Sequence, residues 1–288
     1  MPEPWRRWPL LAAGLVALAG TTGGLAAVHL APLTAEFSFF CALILLTLVR
    51  RGGFAWPWSL WLGAIVALDD LRGLQAVGFA PHASDVIRFE SWLFGGVPTV
   101  RLQSHFAGAG LTWYDVVVSL VYLMHSPAPL ICGAVLWVWR RELFTPFVAS
   151  MLLCGAAGLV TYLLFPEAPP WLAAQNHLME PVRRITNEVI AKVGPLNSVY
   201  AGADPLPNAA MPSLHVTYPC LVAYWTIVAF GRRALWIAAY PTVLAVGVIY
   251  LGEHWAIDVI VGIAYAAAAI AAVRYWARRS ARKRIASG

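Results

Sequence analysis

The sequence predicts an all-α fold, a polytopic membrane bundle of about eight transmembrane helices, and three observations carry that expectation. Of the 288 residues, 60% are hydrophobic and 12% charged, with a mean hydropathy of +0.69. A soluble domain of this size has too little interior to hide so much apolar surface. The apolar residues fall in runs near the roughly 20 that a helix needs to cross a bilayer. Basic residues gather at every second junction between those runs, as the preference of Lys and Arg for the cytoplasmic side demands.

In chain order, the start "MPEPWRRWPLLAAGLVALAG" has the basic beginning and apolar run of a signal peptide. The run stays uncharged to Ala35, too long for one, so a retained first span is expected at 10–32. Further spans are expected at 35–49, 54–68, 114–138, 143–165, 212–230, 234–251 and 255–273. Arg6/Arg7, Arg50/Arg51, Arg140/Arg141, Arg232/Arg233 and the tail "RYWARRSARKR" hold 14 of the 20 basic residues. Both termini are therefore expected in the cytoplasm. The outer side carries 12 acidic residues against six basic ones, so the net charge of +6 marks topology and excludes a nucleic-acid platform. With no internal repeat or long linker, residues 1–288 read as one integral membrane domain.

Three outer segments remain. Residues 69–113 form a long excursion in which Trp92, Leu93 and Phe94 stand beside charges, a pattern suited to an amphipathic segment on the membrane surface. Residues 166–211 form a proline-rich second excursion, and "LGEHW" at 251–255 is a short third. Loops of the first two lengths usually build a site. Cys41, Cys132, Cys154 and Cys220 sit in apolar runs without a C-x-x-C pair and read as buried free thiols.

The chemistry concentrates on two short stretches. In "YLGEHWAIDVIVG", His254 and Asp258 stand four residues apart, on one face of a helix. The carboxylate can accept the imidazole Nδ1–H and leave Nε2 free as nucleophile or base. Taken alone, the pair better suits a helix entry with an acid complementing the macrodipole. In "NAAMPSLHVTYP", Pro212 fits the first turn of a helix, and the free N–H groups of that turn with the Ser213 hydroxyl make an anion site. Two crossings separate His215 from His254, so both return to the outer surface, where ionisable groups are costly and usually functional. Two histidines, a carboxylate and a helix N-terminus together suit phosphoryl transfer through a phosphohistidine.

Other signals are weaker. His125 lies about 16 Å down the fourth span at 1.5 Å per residue, too deep for surface chemistry. There it bonds either a lipid oxygen or carbonyls freed by a kink at Pro127 and Pro129. Glu253 holds a head-group hydroxyl or faces water. Asp69–Asp70 lacks a matching acidic cluster, so no metal site and no cofactor are expected. Trp5, Trp8, Trp56, Trp58, Trp113, Trp137, Trp139, Trp171 and Trp276 read as an interfacial belt.

"MPSLH" followed by "YLGEHWAID" resembles the second and third motifs, P-S-G-H and S-R-x5-H-x3-D, of the type 2 phosphatidic-acid phosphatase superfamily. The resemblance is closer to the inositol phosphorylceramide synthase branch, in which the motif glycine is replaced, as by Leu214 here, and in which a box like "FPEAPPWLA" precedes the catalytic loop. It spans the motifs between 165 and 263 and, more weakly, "LFGGVPTVRLQ". It implies a six-helix core formed mainly by the C-terminal spans. It also implies His254 as the nucleophile, Asp258 as its orienting carboxylate, His215 as acid and base, and Ser213 as a phosphate ligand. Two family cations are missing. Val248 stands where the motif arginine belongs, and Pro169–Pro170–Trp171 occupies the approximate place of the K-x6-R-P motif. Candidate replacements are Arg183 and Arg184 first, then Arg101, Arg72 and Lys192.

The expected function is a metal-independent phosphatase or phosphotransferase acting on a lipid phosphate. Its site is expected on the extracytoplasmic face of a bacterial plasma membrane. The transferase form would move a head group such as phosphoinositol to a lipid, or accept a polyol or sugar alcohol. A proton-coupled transporter or flippase is the alternative of another class.

Overall fold

The computed structural model describes residues 55–71, 79–192 and 208–286. The expected spans 10–32 and 35–49, with Trp5, Trp8, Cys41 and Arg72, lie outside the described residues. The chain forms two compact units, one of residues 1–78 and 198–206, the other of 79–197 and 207–288. In the first, α1 (Ala55–Leu71) is largely apolar up to Asp69–Asp70 near its end, with the Trp58 and Trp61 rings 5.2 Å apart.

The second unit is helical, with no strand among the described residues. Its elements are α2 (Ser84–Phe94), α3 (Pro98–Phe106), α4 (Trp113–Leu123), α5 (Pro127–Trp139), α6 (Arg141–Leu164), α7 (Pro170–Gln175) and α8 (Ile185–Lys192). They continue with α9 (Leu214–Phe230), a 3₁₀ turn (Gly231–Ala238), α10 (Ala239–Tyr250) and α11 (Ala256–Ala286). Thr112 and Asp115 form a reciprocal capping box that starts α4, satisfying two orphan donors at once.

The expected single span at 114–138 is two helices, α4 and α5, bent by 53°. Pro127 opens α5, and a proline there cannot donate to the preceding turn. The His125 imidazole Nδ1 lies 2.7 Å from the Tyr122 carbonyl oxygen at the break, one of the two roles expected of it. The expected span at 234–251 begins as the 3₁₀ turn and becomes α-helical only at Ala239.

By length and composition, Arg141–Leu164, Leu214–Tyr250 and Ala256–Ser280 can each cross a membrane, with α4–α5 a fourth if the bent pair is one span. The stretch 214–250 doubles back on itself. As a straight helix of 37 residues it would be about 55 Å long, yet His215 near its start touches His254 just past its end, at 2.8 Å.

The bundle inverts the usual distribution of polarity. Val117, Leu120, Ile131, Val138, Val160, Val246 and Ile260 are exposed, while Asp115, Ser119, Ser150, Thr217 and Asp258 are buried. Each large apolar side chain left in water forgoes about 1.5–3 kcal/mol, so this surface suits lipid. Trp113, Trp139 and Trp276 are likewise exposed. Cys132 and Cys154 are buried free thiols and Cys220 a half-buried one.

At one end of the bundle the loop segments interlock. His82 N donates to Pro166 O at 2.8 Å and Ala168 N to His82 O at 2.9 Å. Glu167 N donates to Asn208 O at 2.9 Å, and Ala210 N to Glu167 O at 3.2 Å. Beneath this ladder Ala83, Val86, Val97, Ala168, Ala173, Ala210 and Trp255 make a small apolar core. Trp255 Nε1 donates to Ala168 O at 2.8 Å, pinning the proline box to the turn before α11. Helix α2 turns Val86 and Glu90 inward and leaves Phe89, Trp92 and Leu93 exposed.

Candidate active site

The start of α9 meets the start of α11 because two backbones come unusually close. A Cβ on Gly262 would lie 2.6 Å from Ser213 O and 2.9 Å from Thr217 Oγ1, nearer than real side chains approach. Glycine therefore sets the spacing. Thr217 Oγ1 lies 2.9 Å from both Ser213 O and Gly262 O, and Ser213 N donates to Asp258 O at 3.1 Å. The Tyr162 hydroxyl donates to Pro212 O at 2.8 Å across the entry turn.

Pro212 does not occupy the first turn of the helix. Ser213, with ψ of 95°, is still extended, so α9 begins at Leu214 and Pro212 precedes the cap. The Ser213 side chain makes no capping bond. It is fully buried, and its hydroxyl finds no partner among the described residues.

Three predicted residues come together in one line. His215 Nδ1 lies 2.8 Å from His254 Nε2, and His254 Nδ1 lies 3.2 Å from Asp258 Oδ2. Asp258 Oδ2 also accepts Trp255 N–H at 2.9 Å. With Asp258 accepting the Nδ1–H of a neutral His254, Nε2 is left with a lone pair that can accept from His215. His254 and Asp258 are 3% and 0% exposed, which makes the arrangement rigid.

The histidine believed too deep for chemistry is here as well. The His125 ring stands 4.1 Å from that of His215, edge on, and Tyr122 stacks on His215 at 4.6 Å. The depth estimate assumed a straight helix, and the bend at Leu123–Pro127 invalidates it.

The candidate cations are placed very differently. Arg184 meets Glu253 through Nε at 3.1 and 3.2 Å and Nη2 at 3.1 Å, next to His254. Its guanidinium also lies over the Trp171 ring at 4.3 Å. Glu253 is 6% exposed and so does not face water. Arg183 is directed away, to Glu188 at 2.8 and 2.5 Å and to Gly108 O at 2.8 Å. The Glu188 carboxylate raises its already high pKa. Arg101 donates to Phe94 O at 3.0 Å and to Gly95 O, closing the end of α2. Lys192 ends α8. Val248 is buried, and its carbonyl accepts Glu253 N at 3.0 Å and His254 N at 3.2 Å.

The turn holding His254 is itself anchored. Gly252 has φ of +81°, and a Cβ there would lie 2.7 Å from Arg183 O, so only glycine fits. Gln103 Nε2 donates to Arg183 O and Tyr250 O, both at 2.8 Å, and its Oε1 accepts Arg183 N–H at 2.8 Å. Beside the turn, a cavity of about 410 Å³ is lined by Trp171, Gln175, His177, Pro181, Val182 and Arg184 among others. Trp171 thus lines a cavity.

Sequence reasoning missed two acids. Glu167 and Glu90 are both fully buried. Burial, with the nearby Asp258 charge, lifts Glu167 well above the usual carboxylate range. Burial also pushes Glu90 up to about 7, with the Asp258 charge adding to it, although Glu90 Oε1 accepts Ile257 N–H at 2.9 Å. Glu167 did carry a signal, an acid with Pro166 before it and Pro169 and Pro170 after it in "FPEAPP". Glu90, in an amphipathic segment among charges, carried none. No cluster fit to hold a metal occurs among the described residues.

The sequence profile of the PAP2 superfamily matches residues 84–272. Among curated proteins, phosphoinositol dihydroceramide synthase of Bacteroides thetaiotaomicron is 30% identical over 165 residues, covering 53% of this chain and 53% of that protein. The chain thus spans about half the length of the curated relative it matches. No solved structure matches the chain.

Proposed function

The chain belongs to the PAP2 superfamily, and from that premise we propose that it cleaves or transfers a phosphate-bearing head group of a lipid through phosphorylated His254. The observation that carries this reading is the line from His215 through His254 to Asp258. In the first step Nε2 of His254 attacks phosphorus, and the bond from phosphorus to the leaving oxygen breaks. His215 gives its Nδ1 proton to that oxygen. In the second step His215 removes a proton from water or an alcohol, whose oxygen takes the phosphoryl group and frees His254. Asp258 holds the Nδ1 proton and offsets the positive charge on the phosphorylated ring.

Ser213 is the proposed hydroxyl donor to the phosphate, and Arg184 the proposed replacement for the missing motif cations. Arg184 adjoins the nucleophile's own turn, whereas Arg183 and Arg101 hold loops in place. The proposed setting is a bilayer that the described helices cross as part of eight spans. Both termini lie in the cytoplasm and the site lies on the extracytoplasmic face, in keeping with the charge alternation.

Between hydrolysis and transfer we favour transfer. The named activity of the curated relative and the cavity beside Arg184 and Trp171, with room for an alcohol, both support it. Purified protein is incubated with a lipid phosphate radiolabelled at phosphorus, with and without inositol. Transfer predicts acid-labile label on the protein and a labelled product that depends on the alcohol. Phosphate release indifferent to alcohol would sink the transferase reading. Full turnover in His254→Ala would reject the nucleophile, and lipid movement across vesicles without phosphate chemistry would favour a transporter.

A further inference from the structure

The acids behind His254 lack donors. Asp258 Oδ1, both carboxyl oxygens of Glu167 and Glu90 Oε2 are buried with no hydrogen-bond partner among the described residues. As carboxylates, all four atoms would be acceptors facing nothing that donates. Trp255 holds the two acids together, its Nε1 donating to Ala168 O at 2.8 Å and its backbone N–H to Asp258 Oδ2 at 2.9 Å, which sets the Glu167 carboxyl beside that of Asp258. One proton between them satisfies an oxygen on each.

The two ends of that bond are not equivalent. Asp258 Oδ2 already receives the N–H of Trp255 and faces His254 Nδ1, which stabilises its anion. Glu167 has its backbone N–H and C=O committed to Asn208 and Ala210, and its side chain receives no N–H donor. The charges on Asp258, Glu90 and Asp85 all oppose ionisation of Glu167, after burial itself. Asp85 is in turn tied to His82 at 2.5 Å.

We propose that Glu167 is a neutral carboxylic acid whose O–H donates to Asp258 Oδ1, and that it is thereby a positioning residue for His254. This rests on the reading of His254 as nucleophile. With Oδ1 and Oδ2 both occupied by donors, Asp258 keeps its carboxylate plane on the imidazole and does not take the Nδ1 proton. The Glu167 proton stays in place through both chemical steps, so it is neither consumed nor released. Above the pH at which it is lost, two carboxylates confront each other and activity falls.

The test compares Glu167→Gln, whose amide N–H replaces the donor, with Glu167→Ala, which leaves Asp258 Oδ1 bare. Glutamine is expected to keep kcat near neutral pH within about three-fold of the parent and to remove the alkaline fall. Alanine is expected to lower kcat about 10–100-fold with KM little changed. Infrared difference spectra at about pH 8.5, where Glu90 is largely ionised, provide a readout independent of turnover. The parent is expected to show a protonated-carboxyl band that Glu167→Gln lacks. Absence of that band in the parent, or a glutamine variant as impaired as the alanine one, overturns the proposal. If His254→Ala keeps turnover while the band is present, the functional reading fails and the shared proton stands.

Discussion

His254 divides two polar regions built on opposite terms. Behind it Asp258, Glu167 and Glu90 crowd three buried acids around backbone N–H groups and one imidazole. In front, Arg184 pairs with Glu253, under the face of Trp171. On the acid side the proposed proton joins Glu167 to Asp258, while Glu90 Oε2 has no partner among the described residues. The cation side is complete only until a phosphate arrives, which must then compete with Glu253 for the guanidinium. In the proposed mechanism the basicity of His254 is thus governed from behind and the affinity for phosphate from the front.

The comparison can be broken most severely at Asp258. Asp258→Asn presents an amide to His254 and disturbs its tautomer, so kcat for phosphoenzyme formation is expected to fall about 10²–10⁴-fold. Near-parental labelling would mean that the acid side does not serve His254. On the cation side, Arg184→Ala is expected to lower kcat/KM about 10–100-fold, chiefly through KM, in steady-state assays. The same change leaves Glu253 buried without its ion-pair partner, and such losses cost about 3–5 kcal/mol, visible as a lower melting temperature in detergent. Glu253→Gln sharpens the contrast in the other direction. Released from its anionic competitor, Arg184 is expected to bind inorganic phosphate about 3–10-fold more tightly, measured as product inhibition.

Smaller effects follow away from the nucleophile. Glu90 has a folded-state pKa of about 7, raised from 4.5. Its contribution to stability is therefore full below the lower value and lost as pH rises through the higher one. Glu90→Gln, which keeps the acceptor for Ile257 N–H, is expected to raise the melting temperature at about pH 8.5 and change it little at about pH 4. Arg183→Ala removes a half-exposed pair with Glu188, worth about 0–1 kcal/mol, and activity is expected to stay within about three-fold.

The histidine line was legible because its signals are local: an i to i+4 pair on one helix and a histidine at another helix start. Topology then brought the two starts to the same end. His125 was misplaced because depth was counted along an unbroken helix, although the two prolines beside it announced the break. The arginines could not be sorted from sequence. Arg183 and Arg184 are neighbours, yet only Arg184 reaches Glu253, and that depends on the anchoring of Arg183's backbone by Gln103. Pairing across 80 residues leaves no local trace. Glu167 stood in a quoted motif, but its partner Asp258 emerges only when the proline box is docked under Trp255.

With the rings of His215 and His254 bonded at 2.8 Å, an idle molecule keeps its own reactivity covered. In the proposed mechanism, the lone pair that attacks phosphorus is occupied here by the proton that departs with the leaving group. Reacting atoms must approach to about 3–3.5 Å, so a substrate has to wedge the two imidazoles apart before anything can happen. Water and small soluble esters have little binding energy to apply to that separation, whereas a lipid anchored in the bilayer has its tail contacts to draw on. On the proposed function, discrimination against the soluble phosphate pool begins with the contact between these two rings.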